Sequence, residues 1–228
     1  MKITENKLTV TDDRLQYKHG GVCKKVMAEI DGTKVMVKLP YNWDFDVAAE
    51  RIAYTFGKKL GFHVNEVHIA KLGKQLFKDN KKFEFVSIHT WEDGFKTIGH
   101  EPKQKRNRKY DGMKLAMQIF DNVMYNTDRH EYNYGVCDGY LYFIDHGHCR
   151  FYEGFCNEMF SAEFLATLKI VNEVNNPFTR IVKRFLALTD EDIKKLWNGV
   201  PKKLREKGED TFAMRVKHFQ NYIAEKVR

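Results

Sequence analysis

Short segments with alternating apolar and polar residues dominate the first part of the chain, and this period of two is typical of β-strands. Residues 22–30 and 34–39 form the first two such segments, and Asp31-Gly32 between them favours a tight hairpin turn. Residues 64–72 and 82–89 show the pattern again. The first part of the chain is therefore predicted to be rich in β-strands, with a hairpin between the first two.

One early segment has the spacing of a helix instead. Asp44 and Asp46 offer side chains for its N-terminal cap, and Gly61 is a typical residue to follow its last turn. The apolar residues that recur at helical spacing are Ala49, Ile52, Ala53, Phe56 and Leu60. We expect one amphipathic helix inside the β-rich part.

The second part of the chain is mainly helical in pattern. A helix is predicted over residues 113–124, and further helices over 163–171, 178–188, 190–197 and 211–227. Thr189 is placed to cap the fourth of these, whose first turn is acidic. The order of elements predicts an α+β protein with a division near residue 90, giving parts 1–90 and 91–228.

Composition limits the class of protein. A hydrophobic share of 43% in 228 residues is enough for a packed core and argues against disorder. No apolar run approaches the length of a membrane span, and none of the four cysteines forms a Cys-x-x-Cys pair. We expect reduced thiols and a cytoplasmic protein without a transmembrane segment.

The charge of the chain favours anionic partners. Net charge is +8, and residues 103–109 contain five basic side chains. This segment is either a solvated loop or a contact site for nucleic acid or anionic lipid headgroups. It has few interleaved aromatic residues, so a base-stacking platform is not indicated.

Three oxygen-bearing residues lie along one polar stretch between residues 128 and 147. Asn133 follows Asp128 by five positions, and Asp145 follows Asn133 by twelve. Two strand-like runs around a Cys-Asp-Gly turn would bring Asn133 and Asp145 to the same end of a hairpin. Carboxylate and amide oxygens suit Mg²⁺ or Mn²⁺, which leaves Asp128 free to act as a base. The alternative is a polar hairpin with ordinary surface carboxylates.

The same stretch resembles a known family. Asp128-Arg129-His130-x-x-Asn133, followed by Ile144-Asp145-His146-Gly147, resembles the catalytic and metal-binding loops of the HipA-like and phosphoinositide 3/4-kinase-like branch of the protein-kinase-like superfamily. The resemblance implies a two-lobed kinase-like fold, with a small β-rich N-lobe carrying one helix, a mainly helical C-lobe, and ATP between them. It also implies that Asp128 is the catalytic base, that His130 supports the loop or the phosphate charge, and that Asn133 and Asp145 hold the metal.

Two further features of the first part fit this resemblance. Lys38 is a lone cation in an apolar strand, and kinases place a phosphate-binding Lys there with a Glu partner on the next helix, here Glu50. Lys38 could instead reach solvent along its apolar stem, and Glu50 could face water. Gly20-Gly21 would let the backbone approach the phosphates closely, although a plain turn explains the pair as well.

The leading hypothesis is an ATP- and Mg²⁺-dependent kinase that acts on a Ser or Thr hydroxyl of an unknown protein substrate. A lipid or other small-molecule kinase, a non-catalytic nucleotide-binding module and a nucleic-acid-binding protein are the alternatives, and transfer of nucleotide instead of phosphate stays open. HipA-type toxins carry a Ser in the loop over the nucleotide, and residues 19–23 contain neither Ser nor Thr. We therefore expect their autophosphorylation switch to be absent.

Overall fold

The computed structural model describes residues 9–12, 23–72, 77, 82–100, 108–153 and 159–227. The predicted glycine pair Gly20-Gly21 and residues 103–107 of the basic segment lie outside these ranges.

A five-stranded antiparallel sheet forms most of the first part, in agreement with the predicted β-rich region. Its strands, in spatial order, are β1 (Thr9–Asp12), β2 (Lys25–Ile30), β3 (Thr33–Lys38), β6 (Phe85–Thr90) and β5 (Val67–Lys71). The β2–β3 hairpin turns at Asp31 and Gly32, which both have positive φ, at 49° and 79°. Two consecutive left-handed residues are typical of the primed turns that match the twist of a hairpin.

The two faces of this sheet have different environments. Val35 and Val37 of β3 lie on one face and join a small apolar core with Val86 and Ile88 of β6. Lys38 pairs with Ser87, so the opposite face carries polar side chains. Alternation along the strands therefore places a cation on the face away from the small core.

A second sheet of four short strands has the order β4 (His63–Val64), β9 (Tyr140–Phe143), β8 (Tyr134–Cys137) and β7 (Lys96–Thr97). The strand predicted over residues 64–72 is present as β5, but its first residue, Val64, belongs to the separate strand β4, which pairs with β9. Asn65 and Glu66 lie between β4 and β5, and both bond to Thr90 at the end of β6. The Asn65 amide donates to the Thr90 carbonyl, and the Glu66 backbone N–H donates to the Thr90 hydroxyl.

The predicted early helix is present as α1 (Phe45–Leu60), and Gly61 ends it in the left-handed conformation at φ 92°. The predicted capping by Asp44 or Asp46 is wrong, since no side chain caps the first turn. Asp44 instead accepts hydrogen bonds from backbone N–H groups at the start of β6. Asp46 accepts from the backbone of residues 41 and 42, so both carboxylates order the chain around α1.

Helices dominate the remainder of the chain. They are α2 (Asp111–Met124), α3 (Ala162–Leu168), α4 (Pro177–Leu186), α5 (Asp190–Leu196), α6 (Lys202–Arg205) and α7 (Glu209–Val227), with 3-10 turns at Ile98–His100 and Arg108–Tyr110. The sequence did not predict the four-residue α6. The predicted cap at Thr189 is confirmed, and Asp192 completes a capping box with it. No helix in the described ranges is long and apolar enough to cross a membrane.

Helix α1 packs into the core of the helical part. Phe56 contacts Phe120 of α2 and Phe212 of α7, with ring centroids 5.7 and 5.6 Å apart. The Thr55 hydroxyl also donates to the Leu196 carbonyl at 2.8 Å. The α+β order is thus confirmed. The division at residue 90 stays a prediction, and α1 lies N-terminal to it while sharing the larger core.

We predict that Gly61→Ala destabilises the protein more than Gly32→Ala. Both residues have positive φ, which costs a side-chain-bearing residue roughly 1–2 kcal/mol. A Cβ at Gly32 meets no atom within 4 Å, whereas one at Gly61 would displace the Arg184 guanidinium, which donates to the Leu60 carbonyl at 3.2 Å. Chemical denaturation should show the larger loss for Gly61→Ala, and equal losses would contradict this role of Arg184.

Candidate active site

Three charged side chains meet where the first sheet faces the end of β9. Lys38, the last residue of β3, donates from Nζ to Glu50 Oε1 at 2.7 Å and to Asp145 Oδ1 at 2.5 Å. The side chains of Lys38 and Glu50 are 9% and 2% exposed, and that of Asp145 is 43% exposed. The Lys38–Glu50 ion pair predicted from the sequence is therefore present, and Asp145 is its solvent-facing neighbour.

Mutual charge keeps all three groups ionised. Burial alone would lower the pKa of Lys38, but Glu50 and Asp145 raise it well above its usual range. Burial likewise opposes ionisation of Glu50, yet the nearby Lys38 ammonium holds its pKa well below the usual range. The same ammonium lowers the pKa of Asp145. The site therefore combines a fixed cation with two fixed carboxylates.

Two buried histidines, His146 and His89, lie near Glu50. The His146 backbone N–H donates to Glu50 Oε2 at 2.9 Å, and the His146 ring packs edge-on against Phe120. Burial lowers the pKa of His146. Burial also lowers the pKa of His89 to about 4, and His89 Nε2 lies 2.9 Å from the Ser87 hydroxyl. Both imidazoles are neutral near pH 7.

The β8–β9 hairpin brings Asn133 and the chain before Asp145 together. Asp138 and Gly139 turn it with positive φ at both positions, and the Ile144 N–H donates to the Asn133 carbonyl at 3.1 Å. Asp145 itself has φ 60°, which turns the chain away from β9. The structure thus places the two predicted metal ligands at one end of the hairpin, as the motif spacing predicts.

Asp128 and His130 lie on the loop that precedes this hairpin. Their side chains are 51% and 49% exposed, and His130 Nε2 lies 3.8 Å from Asp128 Oδ1. The Tyr132 N–H donates to His130 Nδ1, so a neutral His130 carries its proton on Nε2, toward Asp128. The loop therefore presents an accessible carboxylate beside an imidazole donor.

A divalent cation fits this donor set. Asn133 donates from Nδ2 to the Asp128 carbonyl at 2.8 Å, so its other amide atom, the oxygen, is the one that could coordinate a metal. No group of three His, Cys, Asp or Glu side chains suited to a metal occurs in the described part of the chain. Two protein ligands are nevertheless typical of Mg²⁺ bound together with substrate phosphates. The metal roles of Asn133 and Asp145 stay a prediction.

Sequence reasoning assigned no role to several side chains beneath this site. No role was predicted for His89, Asp121 or Asn126, and Arg129 was identified only as part of the Asp128-Arg129-His130 motif. The detectable signal for Arg129 was its place between Asp128 and His130, and the pairing of Arg129 with Asp121 of α2 depends on the tertiary fold.

Comparison with known proteins supports the fold. No family model and no curated protein sequence matches the chain. The crystal structure of the proinflammatory kinase CtkA from Helicobacter pylori is similar, with 13% identity, a TM-score of 0.53, and coverage of 96% of this chain and 98% of that one. A MAP kinase from Leishmania major, LmaMPK10, aligns with a TM-score of 0.36 at 9% identity over 97% of this chain and 78% of that one, which is too distant to carry an argument. The chain therefore has a two-lobed protein-kinase-like fold, and the HipA-like branch stays a prediction.

We predict unequal costs for breaking the buried ion pair. Lys38→Met leaves Glu50 buried without a cation and should cost about 3–5 kcal/mol of unfolding free energy. Glu50→Leu should cost less, because Lys38 keeps Asp145 as a partner. The double variant should cost less than the sum of the single variants when unfolding is followed in denaturant.

A matched control lies on the same strand. Lys34 pairs with Asp93 at 3.0 Å, but both side chains are more than 60% exposed, so the coupling in a Lys34→Met/Asp93→Leu cycle should be small. Strictly additive losses at Lys38 and Glu50 would show that the buried pair carries no coupling.

We also predict that His89 makes the folded state sensitive to acid. The pKa of His89 is about 4 when folded and 6.5 in its ordinary state. Between these values the unfolded chain binds more protons, so the free energy of unfolding should fall as pH decreases. His89→Gln should flatten this decline between pH 6.5 and 4 in thermal melts. An unchanged slope would contradict a buried neutral His89.

Proposed function

We propose that this protein is an ATP- and Mg²⁺-dependent phosphotransferase that phosphorylates a Ser or Thr hydroxyl of a protein substrate. The observation that carries the proposal is the convergence of Lys38, Glu50 and Asp145 on a kinase-like fold, next to the loop that bears Asp128 and Asn133. The CtkA structure, named as that of a kinase, supports the same reaction class for this fold.

Lys38 is the proposed contact for the phosphates of ATP. Its ammonium is held from the buried side by Glu50, so it keeps its charge and position when it meets a phosphate. Asp145 is the exposed partner and can turn its second oxygen to a cation. Gly20 and Gly21 are proposed to cover the phosphates.

Asn133 and Asp145 would hold Mg²⁺, or Mn²⁺, against those phosphates. The metal supplies neutralisation of the charge on the transferred group. The short hairpin between these residues keeps their backbones in one register, and the fixed negative charge of Asp145 favours a cation. Phosphoryl transfer depends mainly on such positioning and charge neutralisation.

Asp128 is proposed to orient the acceptor hydroxyl and to take its proton. The acceptor oxygen then forms a bond to the γ-phosphorus, the bond between that phosphorus and the bridging oxygen breaks, and ADP leaves with the electron pair. His130, whose Nε2 lies 3.8 Å from Asp128 Oδ1, is proposed to support the carboxylate or the phosphate charge. Both side chains are accessible enough to meet a substrate.

The other acceptor classes define the test. A lipid or small-molecule hydroxyl would use the same residues, and a non-catalytic module would bind nucleotide without transfer. Incubation with Mg²⁺ and ATP, followed by intact-mass analysis of the protein and of casein and histone acceptors, distinguishes added phosphate from added nucleotide. Parallel reactions with phosphatidylinositol vesicles test the lipid class. Nucleotide binding with no transfer to any acceptor would favour the non-catalytic module, and a salt-dependent DNA titration tests the nucleic-acid alternative.

We predict that Asp128→Asn lowers the single-turnover rate of phosphate transfer by about 100- to 10,000-fold, the usual contribution of a general base. ATP affinity should change little, because Asp128 is not among the proposed nucleotide contacts. Asp145→Ala should abolish Mg²⁺-dependent turnover. Asp190→Asn is the control, since Asp190 is an exposed carboxylate paired with Lys217 on α7. Full-speed transfer by Asp128→Asn would remove the base role.

A further inference from the structure

A buried polar network lies beneath the active-site loop, formed by Asp121, Asn126 and Arg129. The Arg129 and Asp121 side chains are only 9% and 13% exposed. Arg129 donates from Nη2 to Asp121 Oδ1 at 3.0 Å and from Nε to both carboxylate oxygens at 3.2 and 3.3 Å. A buried guanidinium therefore has its countercharge on helix α2.

The other side of this guanidinium reaches the two segments that carry the proposed metal ligands. Arg129 Nη1 donates to the Asn133 carbonyl at 2.9 Å and to the Ile144 carbonyl at 3.5 Å. The rings of Phe120 and Phe143 lie against it, with centroids 6.0 and 5.5 Å from Cζ. Planar shape and several fixed donors allow arginine to hold such an arrangement, which a single ammonium group cannot reproduce.

The network also reaches the proposed base. Asn126 donates from Nδ2 to Asp121 Oδ1 at 3.0 Å, and its Oδ1 accepts the backbone N–H of Asp128 at 3.2 Å. The backbone at Asp128, at Asn133 and immediately before Asp145 is therefore tied to one carboxylate on α2. Arg129 can therefore influence the positions of Asp128, Asn133 and Asp145 through their backbone, without contacting their side chains.

We propose that Arg129, oriented by Asp121, is the positioning residue that sets the distance between the Asn133 and Asp145 ligands. The inference rests on the proposed function in taking these two residues as metal ligands. Partners that orient metal ligands typically change metal affinity or activity by about 10- to 100-fold when they are lost. Arg129 acts through the two backbone segments it bonds. Its loss therefore shifts the metal ligands and does not directly remove a group that contacts the reacting atoms.

The test measures Mn²⁺ binding in the presence of ADP by water-proton relaxation, a readout that requires no phosphate transfer. Arg129→Lys keeps the charge but not the set of fixed donors, and we expect about 10- to 100-fold weaker Mn²⁺ binding. The Mg²⁺ concentration that half-saturates phosphate transfer should rise by a similar factor. ADP affinity without metal should stay near the wild-type value.

A double variant separates positioning from folding. Arg129→Met alone leaves Asp121 buried without its cation, whereas Arg129→Met combined with Asp121→Leu removes both charges and should recover much of the lost melting temperature. Mn²⁺ affinity should stay weak in the double variant, because the bonds to the Asn133 and Ile144 carbonyls are still missing.

Arg215→Lys is the matched control. Arg215 is fully buried and donates to the Asn122 and Val123 carbonyls at the end of α2, so the same substitution removes fixed donors while leaving the Arg129 bonds to the Asn133 and Ile144 carbonyls in place. We expect a lower melting temperature with unchanged Mn²⁺ affinity.

The outcomes distinguish the two proposals. Wild-type phosphate transfer together with unchanged Mn²⁺ affinity in Arg129→Lys and in the double variant would overturn the positioning role while the kinase function stands. Weaker Mn²⁺ binding in both variants, with no transfer by the wild-type protein, would support the positioning role and overturn the kinase function. Equal loss of Mn²⁺ affinity in Arg215→Lys would also overturn a specific role for Arg129.

Discussion

A buried ammonium is stable only with a countercharge, and this requirement organises the structure around Lys38. The cation ends a strand whose other face carries apolar residues of the small core, and Glu50 must approach it from α1. The ion pair therefore ties the first sheet to the helix. Asp145 adds the chain after β9 to the same cation, so one charge links three separate parts of the fold.

The packing of α1 makes this linkage rigid. Although α1 lies between two strands of the first sheet in sequence, Phe56 belongs to the larger core, and Thr55 bonds the end of α5. Glu50 is consequently fixed with respect to the helical part as well as to Lys38. A nucleotide phosphate that reaches Lys38 would meet a cation whose position is already set, which lowers the cost of ordering on binding.

A second polar arrangement serves the other side of the proposed site. Asp121 and Arg129 form a largely buried pair, in which Arg129 also donates to the Asn133 and Ile144 carbonyls and Asp121 also accepts from the Asn126 amide. The proposed base Asp128 is therefore exposed, whereas Asp121 and Arg129 beneath it are largely shielded from solvent. This division suits a reaction in which positioning and charge neutralisation provide most of the rate.

Local patterns in the sequence determined most of the strands and helices, the hairpin turn at Asp31-Gly32 and the end of α1 at Gly61, because each depends on neighbouring residues. Motif spacing also predicted that Asn133 and Asp145 share one end of a hairpin. Only the tertiary structure decided that residues 63–64 pair with β9 and that Asp44 accepts hydrogen bonds at the start of β6 instead of capping α1. It also decided that Arg129 forms an ion pair with Asp121. These contacts join residues that are distant in sequence, and several partners can compete for one polar group. Which contact forms therefore depends on which partners the packed core brings within reach.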